Sequence, residues 1–165
     1  MNIQEHINYL KKELEIIEEK EGKRGDDYCK FVFNNIIVSQ HREQLAEFLK
    51  DFMLDYSPTD PRLAREFYKS LCDTLIIPKL NEPSNKDHSY WFDNYVKYKT
   101  LEIEYSKKLG RAEIESGYYH LGVAYSVEYA NTGNESYYNK AKHLFSEVKG
   151  ELYLMAQDQL TILEG

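Results

Sequence analysis

Apolar residues recur at helical spacing along almost the whole chain, and this periodicity leaves little room for anything but an all-α fold. Ile3, Ile7, Leu10, Leu14 and Ile17 follow a 4-3-4-3 rhythm, which lays one apolar seam along a helix packed on a nearly parallel or antiparallel neighbour. A second stretch carries Tyr28, Phe31, Val32, Ile36 and Ile37, then Leu45, Phe48, Leu49, Phe52 and Met53; the pattern lapses over residues 39–44, which leaves either one long helix or two with a bend there. Leu63, Phe67, Leu71 and Leu75 line one face of a third. The seam from Ile3 to Ile17 must be covered either by Phe31 to Ile37 of the same chain or by a second copy, so a homo-oligomer is one expectation.

Stop and start signals divide this pattern. The run Gly22-Lys23-Arg24-Gly25 ends the first helix, and Asp26 or Asp27 is placed to cap the next. In Ser57-Pro58-Thr59-Asp60-Pro61, Asp60 suits an N-cap and Pro61 the first helical position, where its missing N–H costs nothing. Pro78 is expected to close that helix, and residues 74–77 read as its end rather than as a strand. Residues 81–89 contain no apolar side chain and read as a linker. Trp91, Tyr95, Tyr98 and Tyr105 then repeat at helical spacing; the stripe reads first as core and second as a binding face. Three more helices are expected, over residues 111–130, 136–148 and 151–163. No segment alternates with period two. The expected architecture is a single all-α domain over 1–165 with about six or seven helices. An N-terminal bundle over 1–80 is followed by the linker 81–89 and by repeat-like hairpins over 90–165.

A chain of 165 residues can bury about 70% of its unfolded surface, enough for a core without disulfides or metals. Its two cysteines, Cys29 and Cys72, match no paired motif and read as buried thiols. The net charge is −7, opposite in sign to the basic face that duplex or RNA binding requires, so no direct nucleic-acid contact is expected. No run approaches the ~18 apolar residues of a membrane span, and residues 1–10 lack the apolar core of a signal peptide. The expected location is the cytoplasm, with no membrane contact.

The most specific feature lies near the C-terminus. Tyr118, Leu121, Gly122 and Tyr125 share one helix face; Ala141, Leu144, Phe145 and Val148 share a face of the next. The small residues Gly122 and Ala141 let two backbones approach, and Asn131-Thr132-Gly133-Asn134 supplies the turn between them. The spacing Tyr118-x-x-Leu121-Gly122-x-x-Tyr125, followed by Ala141-x-x-x-Phe145, resembles a tetratricopeptide repeat. Seven extra residues separate its halves and the usual closing proline is missing. A second copy forty residues upstream is faint, with Leu101 where Ala141 would align. The layout of helical bundle plus elongated repeat is also similar to bacterial quorum-peptide receptors of the Rap type, from which no functional residue carries over. A tetratricopeptide-like hairpin implies a protein or peptide ligand on the face formed by first helices. On that helix Glu115, Tyr119, Ser126 and Tyr129 lie off the expected packing face and are the candidate partner-binding residues. Tyr119 leads, because it offers a ring and a hydroxyl at little entropic cost.

No spacing in the chain assembles a known catalytic kit. None of His6, His41, His88, His120 and His143 follows a glutamate by three, so the di-iron Glu-x-x-His pattern is absent, as is the zinc motif His-Glu-x-x-His. Glu115 and His120, five apart, point to different faces. No nucleophile elbow and no phosphate-binding glycine loop occurs. No catalytic, cofactor-binding or metal-ligating residue is therefore assigned, and no cofactor is expected. The reading that follows is a non-enzymatic cytoplasmic regulatory module that binds a protein or peptide. Two alternatives stand beside it. One is a small acidic phage-type inhibitor that blocks a nucleic-acid-binding or defence protein, with Asp51, Asp55 and Asp60 imitating phosphates. The other is a helical-bundle enzyme whose site assembles only in three dimensions.

Overall fold

Asn2 starts the first helix, α1 (Ile3–Glu21), with a reciprocal capping box: its side chain accepts from the Glu5 N–H at 2.9 Å, and Glu5 accepts from the Asn2 N–H at 3.1 Å. Gly22 ends the helix at φ +69°, the left-handed conformation that favours glycine. The computed structural model describes residues 2–50, 55–82, 86–110 and 114–165, and among them every regular element is helical, as periodicity predicts. The chain divides into two compact units, Met1–Tyr105 and Ser106–Gly165. Of the expected linker, residues 83–85 lie outside the described residues; the division between units falls further on, between Tyr105 and Ser106.

In the first unit, α1 packs on α2 (Asp26–Val32) and α3 (Arg42–Leu49). Leu10 and Leu14 are fully buried while Ile3 is 42% exposed, so the chain's own α2 and α3 cover the middle of the 4-3-4-3 seam. Of the two readings of the stretch around residues 39–44, the structure shows two helices rather than one, with the interruption at residues 38–41 after a π turn, Phe33–Ile37. Asp26 does not cap its own helix. It accepts from the Thr59 N–H and hydroxyl, both at 2.7 Å, which holds its pKa below the usual carboxylate range and ties α2 to the start of the next helix. Glu21, at the end of α1, caps α2 instead, accepting from the N–H groups of Gly25, Asp27 and Tyr28.

Asp60 and Pro61 open α4 (Pro61–Leu71) in the expected roles, with Asp60 accepting from the Arg62 N–H at 2.9 Å. Pro78 does not stop this run. A π turn, Cys72–Ile76, precedes α5 (Ile77–Leu80), and this wider turn makes room for a proline ring that would otherwise meet the carbonyl one turn back. Within this unit, Trp91, Tyr95 and Tyr98 of α6 (His88–Leu109) are buried in a shared aromatic core. Tyr98 stacks on Tyr68 at 5.6 Å, and Tyr56 meets the edge of Phe67 at 5.0 Å. The aromatic stripe of α6 is thus core from Trp91 to Tyr98, while Tyr105 is half-buried and stacks on Tyr68 at 5.9 Å.

Candidate functional site

The second unit is built on the hairpin of α7 (Ile114–Thr132) and α8 (Glu135–Ser146), with α9 (Tyr153–Glu164) packed on both. Gly133, at φ +69°, makes the turn, and Asn134 caps α8 by accepting from the Ser136 N–H at 2.9 Å. Gly122 lies directly against the fully buried Phe145: a Cβ on Gly122 would stand 2.7 Å from the ring. Ala141, also fully buried, keeps the facing side small. Tyr125 stacks on Tyr137 at 5.8 Å and Tyr129 meets Tyr138 at 5.3 Å, so tyrosines zip the two helices together.

The four candidate residues fall on one stripe with Gly122, at positions 115, 119, 122, 126 and 129, and all four are half-buried. Tyr119 lies 6.0 Å from Phe145, Tyr129 lies against Tyr138, and the Ser126 hydroxyl is enclosed. Glu115 accepts from the Lys149 N–H at 3.1 Å and from the Gly150 N–H at 2.6 Å, so its carboxylate holds the loop after α8. Gly150 permits this approach, since a Cβ there would collide with the carboxylate. Each already makes an intramolecular contact or is enclosed. The signal was in the spacing: counting seven residues either way from Gly122 reaches Glu115 and Tyr129. Replacing Glu115 with alanine is expected to cost about 1–3 kcal/mol by stripping charge-assisted hydrogen bonds from two backbone donors. Urea unfolding of the variant checks this, and unchanged stability would refute the anchoring role.

An open apolar surface of this unit lies on α9. Ala156 is fully buried, and Leu152, Leu160 and Leu163 are half-buried, which fixes the helix by one side. Leu154 is 74% exposed, Ile162 72% and Met155 49%. With Asp158 they occupy one sector of the helix, directed away from the Ala156 side. Residue spacing alone missed this face, because Leu154, Met155 and Ile162 are as apolar as the residues that pack.

Elsewhere the chemistry is restrained. In the first unit, Lys99 and Glu102 form a buried ion pair at 2.6 Å, with Asp73 3.7 Å from the lysine. Burial pushes the Cys29 thiol up to about 12 and moves Cys72 upward as well, which keeps both poor nucleophiles near neutrality. A cleft of about 410 Å³ is lined by Asn2, Ile3, His6, His41 and Gln44. Among the described residues no three His, Cys, Asp or Glu side chains are grouped to hold a metal ion, and no helix is long and apolar enough to cross a membrane. Of the three aspartates considered as phosphate mimics, Asp51 lies outside the described residues, Asp55 pairs with Lys97 at 2.8 Å, and Asp60 is an N-cap. No family model matches the chain, and no curated protein and no solved structure matches it.

Proposed function

We propose that the chain is a non-enzymatic, cytoplasmic regulatory module that binds a protein or peptide, and that it engages this partner through the outer face of α9. The observation that carries the reading is the exposure of Leu154, Met155 and Ile162 together on one side of a helix already anchored by its other side. Single exposed apolar residues are ordinary, whereas a contiguous group marks a contact surface. The hairpin beneath supports a tetratricopeptide-like reading through the seating of Gly122 on Phe145, which gives α9 a rigid base.

The test is affinity capture from native lysate with the wild type and with a Leu154→Ser/Ile162→Ser variant, at low and high salt. Both substitutions fall at positions more than 70% exposed, so folding should be retained. The wild type should retain one or more proteins that the variant loses, and this difference should persist at high salt. Identical retained sets from the two proteins would overturn the α9 assignment. Retention that collapses at high salt and ignores the variant would favour an acidic groove-blocking inhibitor.

A further inference from the structure

From Gly150 to Gly165 the chain carries Glu151, Asp158 and Glu164 and no lysine or arginine. Glu164 pairs with Lys142 at 3.2 Å, which directs that charge back into the hairpin. Asp158 has no ion-pair partner among the described residues, and it sits in the same exposed sector as Leu154, Met155 and Ile162. Leu154, Asp158 and Ile162 are spaced by four, so they form one ridge of the kind that packs into the groove of a neighbouring helix. The ridge is therefore apolar at both ends and anionic in the middle.

We infer that this ridge receives a basic amphipathic helical segment of another protein, with aliphatic residues meeting Leu154, Met155 and Ile162 and a lysine or arginine meeting Asp158. The inference rests on the binding role proposed above and adds the chemistry of the partner. A carboxylate covered by an apolar surface loses its water and gains nothing in return unless a cation takes its place. A second copy does not fit this requirement, because pairing two ridges about their centres sets Asp158 of one against Asp158 of the other. An anionic lipid surface is repelled by the same charge. An amphipathic helix bearing lysine or arginine beside its apolar row supplies both halves of the contact.

The probe is a labelled synthetic leucine–lysine amphipathic helix, compared with a sister peptide that carries glutamate at every lysine, and the readout is fluorescence anisotropy with the full chain. The lysine peptide should bind at least about tenfold more tightly than the glutamate peptide, and Asp158→Lys should reverse that order. Leu154→Ser/Ile162→Ser should weaken the lysine peptide by about tenfold or more. Asp93→Lys, the same charge change at an exposed site on α6, should alter binding by less than about twofold at moderate salt. The inference is overturned if neither peptide binds, if the glutamate peptide is preferred, or if Asp93→Lys weakens binding as much as Asp158→Lys does. It is also overturned if light scattering shows a dimer that Ile162→Ser dissociates. Loss of captured proteins on Leu154→Ser/Ile162→Ser without preference for the lysine peptide would leave α9 as a binding face and discard only the basic partner.

Discussion

Replacing Phe145 with alanine should destabilise the Ser106–Gly165 unit by about 3–5 kcal/mol, the usual cost of removing a fully buried aromatic ring. The ring fills the crossing where α7 and α8 approach, and Gly122 is its counterpart: no side chain stands between that backbone and the ring. Gly122→Ala supplies the sharper test. In the wild type the new methyl would lie 2.7 Å from the Phe145 ring, and overpacking of this kind costs about 1–3 kcal/mol. Once Phe145 is alanine the space is open, and alanine should then exceed glycine by about 1 kcal/mol on helix propensity alone. The same substitution thus changes sign between the two backgrounds. Urea unfolding monitored by circular dichroism, with hydrogen exchange of α7 and α8, completes the cycle. A Gly122→Ala that stabilises the wild type would show that the two helices do not cross at this residue.

Sequence spacing conveyed this crossing because a glycine and an alanine interrupt otherwise bulky stripes, which happens where backbones must approach. It also conveyed Asp60 and Pro61, since an N-cap and a proline at the first helical position act through bonds to adjacent residues. Signals that depend on distant groups were less legible. The pair Asp26-Asp27 reads locally as a cap, yet Asp26 is drawn to Thr59, thirty-three residues away, while Glu21 reaches across the turn to cap α2. Pro78 reads locally as a stop, yet a π turn upstream absorbs it. The candidate site shows the same limit. Periodicity finds an apolar stripe but not the neighbour that covers it. On α7 the spacing of Leu121 and Tyr125 marks one packing face, but it does not reveal that Phe145 of α8 also lies against Gly122. On α9 two adjacent apolar sectors compete, and only packing decides that Ala156 turns inward and Leu154 outward.

Lys99→Ala should destabilise the Met1–Tyr105 unit by about 3–5 kcal/mol at neutral pH, because it leaves the carboxylate of Glu102 buried without its cation. The loss is one of charge compensation, so replacing both partners with methionine should restore most of the stability despite removing the ion pair. A double variant no more stable than Lys99→Ala would instead assign the effect to packing around the lysine stem. The pair also carries a pH signature. Burial pushes the Lys99 pKa down, but Cys72, Glu102 and Asp73 outweigh it, and the net direction is upward. A folded-state pKa above the ordinary lysine value of about 10.4 means that the stabilisation is complete below that pH and is lost as pH rises through the folded-state pKa. The buried tyrosines Tyr28, Tyr68, Tyr95 and Tyr98 are shifted upward by burial and lose stability in the same alkaline direction, so the wild type alone does not isolate the lysine. Lys99→Met/Glu102→Met retains every one of those tyrosines and lacks the Lys99 ammonium with its contacts to Glu102 and Asp73. Above about pH 10 the wild type should therefore lose stability more steeply than this variant. Parallel losses in the two proteins would show that Lys99 has the same proton affinity folded and unfolded.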